Sequence, residues 1–141
     1  MFSSTATYAV RALAHLACRP DDEAVLGRDL AELAGVPANY LSKILLTLKR
    51  AGIVEATRGL HGGYRLHQPP QDISLAQVFD LFDPLGEMPD CLLGRPRCDA
   101  DDPCPAHERW CRVKEAYVDF LHNTSLAEIA TSAVERVPEP R

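Results

Sequence analysis

Four of the five cysteines in this sequence of 141 residues crowd into one stretch. The pattern is Cys91-x6-Cys98-x5-Cys104-x2-His107-x3-Cys111. Thiolates and imidazole are soft ligands, and three thiols with His107 make a set able to hold zinc or an iron–sulfur cluster. Zinc knuckles use tighter C-x2-4-C pairs around one ion. The wider gaps here would let the loop wrap a larger inorganic core. Two other readings stay open: a structural zinc site, or reactive thiols that join as a disulfide on oxidation.

Position adds to the pattern. Cys104 stands just before Pro105, where a long helix should begin. As the N-cap of that helix, its thiol would meet the positive end of the dipole, which favours thiolate. His107 would fall in the first turn, within reach of the same point. Cys111 lies about 10 Å further along at helical rise. It is expected to pack as a small apolar residue, as is Cys18 on the first helix.

A second set of residues could touch a polyanion. Residues 38–68 hold five Lys/Arg and one Asp/Glu, although the whole chain carries −5. Residues 1–68 have a net charge of +2 and residues 69–141 of −7. One basic segment in an acidic chain points to a local contact with nucleic acid. Asn39, Tyr40, Ser42, Lys43 and Thr47 would lie opposite an apolar stripe of Leu41, Ile44, Leu45 and Leu48. Such side chains reach base edges or phosphates. Arg58 and His61 sit among glycines at a turn, where backbone can approach a phosphate closely.

The elements that must carry these residues follow from periodicity and caps. A first helix should run from Ser4 to Cys18, with Ala9, Leu13, Leu16 and Ala17 at helical spacing. Residues 19–22 should break it. A short helix over 27–34 should end at Gly35, and Asp29 with Glu32 could form its capping box. The third helix should open near Pro37 and close at Lys49-Arg50-Gly52. Residues 53–57 and 64–66 read as two strands around a glycine-rich tip. Ser74 with Gln77, and Ile73 with Val78, mark the start of a fourth helix. Residues 84–104 should be loop. The long helix should then run from Pro105 to about His122, with an apolar stripe of Trp110, Val113, Tyr117, Phe120 and Leu121. Ser125 with Glu128 should cap a last helix, and residues 137–141 should fray.

The expected fold is therefore mainly α with a small β-hairpin wing. Residues 1–68 would form a winged helix-turn-helix, and residues 69–141 a sensor loop with dimerisation helices. No run of apolar residues is long enough to span a bilayer, and no basic stretch opens the chain as in a signal peptide, so a cytoplasmic protein without membrane partners is expected. No nucleophile elbow, paired-carboxylate pocket or phosphate loop is present. Neither an enzyme nor a small-molecule substrate is expected.

Four segments occur together, in this order, in one family: Tyr8-Ala9-Val10-Arg11-Ala12-Leu13, Tyr40-Leu41, the wing Arg58-Gly59-x-x-Gly62-Gly63-Tyr64-x-Leu66, and the three cysteines with His107. From Ser3 to Ala133 the chain resembles the Rrf2 family of bacterial transcriptional regulators, with its IscR-like and NsrR-like iron–sulfur sensors. The resemblance implies a homodimer on a palindromic double-stranded DNA operator, joined by the stripe Trp110, Val113, Tyr117, Phe120 and Leu121. It also implies a cluster on Cys91, Cys98 and Cys104. His107 is the fourth ligand in the IscR-like case. In the NsrR-like case a 4Fe–4S cluster takes an N-terminal carboxylate of the partner chain. Thr5-Ala6-Thr7-Tyr8 offers none, so the resemblance favours His107 and 2Fe–2S. This chain has one residue more between the first two cysteines than IscR-like members, and Ser42 where they carry an acidic residue.

Overall fold

The structure, a computed structural model, describes residues 2–19, 23–84 and 87–133. The expected break at Pro20–Asp22 and the Pro-rich end at residues 137–141 lie outside the described residues. Six α-helices, a 3-10 turn at Pro70–Asp72 and one hairpin are described: α1 Ser4–Ala17, α2 Gly27–Ala34, α3 Ala38–Arg50, β1 Val54–Thr57, β2 Gly63–Leu66, α4 Leu75–Phe82, α5 His107–Asn123 and α6 Leu126–Ala133.

Helix α1 is the hub. Ser3 caps it by accepting a hydrogen bond from the Ala6 amide at 3.1 Å. Ala6, Ala9, Ala12 and Leu13 are fully buried. Small side chains on that face let α2, α3, α4, α6 and β2 all close on α1. Leu13, Leu30, Leu41, Leu45, Leu48, Ile73, Val78 and Leu126 belong to one core. That core crosses residue 68, so side chains from both halves of the expected division share it.

The helix-turn-helix follows the local code except at its entrance. Gly35 adopts φ 64°, and the Val36 amide reaches back to the Ala31 carbonyl at 2.9 Å, closing α2 with a left-handed cap. Pro37 is the N-cap of α3 rather than its first residue. The expected Asp29–Glu32 capping box is absent: α2 starts at Gly27 after Leu26, with no side-chain cap. The backbone explains why. Val25 pairs with Tyr64 in both directions, at 2.9 and 2.7 Å, and this pairing sets where α2 can begin.

The wing is antiparallel, with Val54 opposite Leu66 and Thr57 opposite Gly63. Val25 extends it by one residue pair. Gly63 has φ 139°, and a Cβ there would lie 2.4 Å from the Val25 carbonyl oxygen. Only glycine fits that approach.

Ser74 caps α4 through the Gln77 amide at 3.3 Å, and Ile73 and Val78 are fully buried, as the staple pattern expects. The Ser125–Glu128 box also forms, at 2.6 and 3.3 Å. Two backbone bonds join these helix starts: Leu75 amide to Thr124 carbonyl at 2.9 Å, and Leu126 amide to Ile73 carbonyl at 2.8 Å.

Helix α5 begins at His107, two residues later than the sequence predicts, with Ala106 at its N-cap. Cys104 is therefore not the cap. Its carbonyl accepts from the His107 amide at 3.0 Å, which makes residues 104–107 a turn ahead of the helix. Cys18 also departs from expectation. It is exposed rather than packed, though its thiol donates to the Ala130 carbonyl at 3.0 Å.

Candidate functional site

The loop between α4 and α5 brings three thiols together. The Sγ atoms of Cys91, Cys98 and Cys104 all lie within 4.8 Å of one another, and Cys91 and Cys104 are buried. Cys91 and Cys104 stand 3.8 Å apart. A tetrahedral ion about 2.3 Å from each sulfur spaces its ligands by about 3.8 Å, so this pair fits one metal centre. His107 Nδ1 lies 3.2 Å from Cys98 Sγ, which adds the imidazole to the thiol group. The donor set, three soft sulfurs and one borderline nitrogen, suits zinc or an iron–sulfur centre.

The loop prepares these thiols with its backbone. The amides of Arg95 and Leu93 hold the Cys91 thiol down to about 7, against the opposing effect of burial. Cys98 accepts from the Cys104 amide at 3.4 Å, which favours its thiolate. Burial and the two neighbouring sulfurs outweigh that bond and push Cys98 up. Placing several thiolates together is unfavourable until a cation shares their charge. The rest of the loop is braced by short-range polar contacts. Asp99 accepts from the Asp101 and Asp102 amides at 3.0 and 2.9 Å and pairs with Arg97 at 2.8 Å. Arg95 pairs with Asp102 at 2.7 Å. The Trp110 indole donates to the Pro89 carbonyl at 2.9 Å, tying the loop's entrance to α5.

Cys111 is placed differently from its sequence reading. It is half-buried, and its Sγ lies 3.7 Å from His107 Nε2. Counting rise from Cys104 missed this contact, because the relevant neighbour is His107, one turn earlier on the same face.

The basic segment lies on α3 and the wing. Leu41, Ile44, Leu45 and Leu48 are buried, and Asn39, Tyr40, Ser42 and Lys43 are exposed on the other side of α3. The Ser42 hydroxyl donates to the Ala38 carbonyl at 3.0 Å, and the Thr47 hydroxyl to the Lys43 carbonyl at 3.2 Å. Arg58 and His61 are exposed at the wing tip. Leu60, which the sequence did not single out, stands between them and is 96% exposed. A leucine between Gly59 and His61 gives no sequence signal of such exposure.

The α5 stripe divides. Leu121 is fully buried against Ala6, Leu75, Ala76 and Phe79, and Tyr117 packs beside it, its ring 5.8 Å from that of Phe2. Trp110 leans on the loop. Val113 and Phe120 remain outside, 46% and 49% exposed. The face they share is apolar and has no cover from the chain's own described residues.

Comparison with known proteins agrees across almost the whole chain. A family profile described as "Rrf2: Iron-dependent Transcriptional regulator" matches residues 2–132. The HTH-type transcriptional regulator IscR of Photobacterium profundum is 31% identical over 127 residues, covering 90% of this chain and 73% of that protein. Among solved structures, CymR, the global cysteine regulator of B. subtilis, superposes with a TM-score of 0.78 at 21% identity, covering 93% of this chain and 96% of that one. T. potens IscR does so with a TM-score of 0.74 at 23% identity, covering 99% and 93%. The fold, mainly helical with a two-stranded wing and a long C-terminal helix, is that of these winged-helix neighbours.

Proposed function

The chain belongs to the Rrf2 family of transcriptional regulators, and from that membership we propose that its DNA binding is governed by an iron–sulfur cluster held on Cys91, Cys98, Cys104 and His107. It is a regulator and not an enzyme. The observation that carries the proposal is the meeting of three thiols within 4.8 Å, with His107 Nδ1 at 3.2 Å from one of them, at the start of α5. The compact thiol triad, with His107 beside Cys98, and the IscR relatives support a 2Fe–2S centre ahead of 4Fe–4S. When bound, the cluster supplies a centre that gains or loses electrons and reacts with oxidants or nitric oxide.

The protein acts in the cytoplasm, where thiols stay reduced. Among the described residues no helix is long and apolar enough to cross a membrane. It works as a homodimer, with the exposed Val113 and Phe120 face of α5 against a second copy. Trp110, Tyr117 and Leu121 seat that helix on its own chain. Residues 1–68 read DNA and residues 69–141 sense and dimerise. Each α3 enters the major groove of one half of a palindromic operator through Asn39, Tyr40, Ser42 and Lys43. Arg58 and His61 track the backbone or the minor groove from the wing. Ligation orders residues 91–107, which lead directly into α5, and so biases how the two heads sit on DNA.

The test is iron and acid-labile sulfide on protein purified without oxygen, with its visible spectrum. The expected result is brown protein with both elements. Cys98→Ala should be colourless and altered in affinity for a DNA site selected from random sequence. Colourless wild-type protein would overturn the cluster. One observation favours a second reading, a thiol–disulfide switch: Cys91 and Cys104 lie 3.8 Å apart, and the Cys91 thiol sits at about 7. Thiol counting under oxidant separates it, and stoichiometric zinc would mark a structural site.

A further inference from the structure

His107 is the first residue of α5, and Cys111 lies one turn further on the same helix face. The imidazole lies between two sulfurs. Nδ1 is 3.2 Å from Cys98 Sγ, and Nε2 is 3.7 Å from Cys111 Sγ. The two ring nitrogens point in different directions, so one centre can use only one of them. Nδ1 is the nitrogen on the side of the thiol triad. Nε2 then carries the ring proton, and the acceptor it meets fixes both tautomer and ring orientation. Among the described residues, Cys111 Sγ is the one group within hydrogen-bonding distance of Nε2.

We propose that Cys111 is the positioning residue for His107. Its sulfur accepts from Nε2–H, which leaves the Nδ1 lone pair on the side of Cys98, one member of the thiol triad. The inference rests on the reading of His107 as a ligand and deepens it. Ligating histidines are ordinarily backed by a carboxylate, a carbonyl or water, which makes them better donors. A thiol is a weaker acceptor. His107 is thus oriented but only softly backed, and it is the ligand that releases first when the centre is disturbed. Cys111 does not itself join the centre, because the ring stands between its sulfur and Cys98.

The experiment is a mutant cycle on the reconstituted protein, read as the rate of metal loss to a chelator. The probes are iron with sulfide and, separately, zinc. Cys111→Ala should speed loss roughly 10-fold, the low end of the effect of removing a ligand's outer partner. Cys111→Ser, which keeps an acceptor, should restore most of the difference, and Cys111→Asp should slow loss below wild type. In a His107→Ala background, Cys111→Ala should add nothing. An undiminished effect in that background would overturn the inference, because Cys111 would then act on the metal directly. Nitrogen-15 spectra of the reduced, metal-free protein give an independent reading. Wild type should show the Nε2–H tautomer of His107, and Cys111→Ala a mixture. An unchanged tautomer would also overturn it. Wild-type protein that took neither metal would sink the parent reading, and the tautomer would still decide the positioning.

Discussion

The winged-helix head and the thiol loop reach order by opposite routes. In the head, Leu13, Leu41, Leu45 and Leu48 are almost wholly buried, and exposed Asn39, Lys43 and Arg58 ride on elements fixed from behind. The loop between α4 and α5 contributes Cys91 and Cys104 as its deepest side chains and otherwise exposes Leu92 and Leu93. Its contacts are ion pairs and Asp99's bonds to nearby amides, interactions worth little each in water. A reader needs one rigid geometry before DNA arrives. A sensor needs a segment whose order depends on what it holds. On the proposed function one chain would need both, and hydrophobic burial is what separates the two regions.

The hardest blow to this contrast should fall on the core. Leu45→Ala removes a buried side chain from α3 and should cost about 2–5 kcal/mol, read by denaturant unfolding. Cys98→Ala should leave the metal-free protein's stability nearly unchanged. Equal losses would mean that the loop is part of the core after all.

Metal removal should separate the regions next. Amide exchange over residues 87–106 should speed up by at least about tenfold on chelation, while amides of α1 and α3 hold their protection. Uniform loosening would erase the distinction.

A smaller effect tests independence from the other side. Lys43→Ala should weaken binding to all DNA sequences and lower the salt slope by about one, with metal content untouched.

The least effect is in pH, and it sharpens the comparison. His15, packed in α1, is held below 6.5 by burial first and by Arg19 and Arg11 next. Its Nε2 is buried with no partner among the described residues. As pH falls, the unfolded chain takes that proton first. The head's stability is therefore full above 6.5 and declines below it. Asp99 in the loop is held below 3.8 by Arg97 and by the Asp102 amide. Its contribution is full above 3.8 and is lost as pH falls from there through the lowered value. Thermal melts at pH 5 and 7.5 should show the decline in wild type and a flatter response in His15→Gln.

What the sequence made legible was local. The α3 stripe, the Ser74 and Ser125 caps and the left-handed Gly35 all depend on residues within a turn or two of each other. The Val25–Tyr64 pairing was hidden, because one residue pair far apart in the chain leaves no strand pattern. It also displaced the expected Asp29 cap. Cys104 looked like a helix cap because Pro105 suits a first turn. The structure spends residues 104–107 on closing a turn over the thiols instead. The three thiols were legible as a set from spacing alone. The Cys111–His107 contact was passed over, since the spacing was counted from Cys104 and not from His107, four residues before Cys111 on the expected helix. The α5 stripe read as one surface, yet it serves two: Leu121 and Tyr117 inward, Val113 and Phe120 outward.

The two backbone bonds joining Ile73 and Leu75 to Thr124 and Leu126 have a consequence for how such a chain can change over time. The start of α4 and the end of α5 are clamped to each other at one place, with α4 and Leu121 packed on α1 and the thiol loop lying between the two helices. The segment is a cassette with a fixed footprint. A loop of different length, or one with other ligands, can be spliced between those anchors without moving α2, α3 or the wing. Descendants of one head could thereby come to answer to different chemical signals.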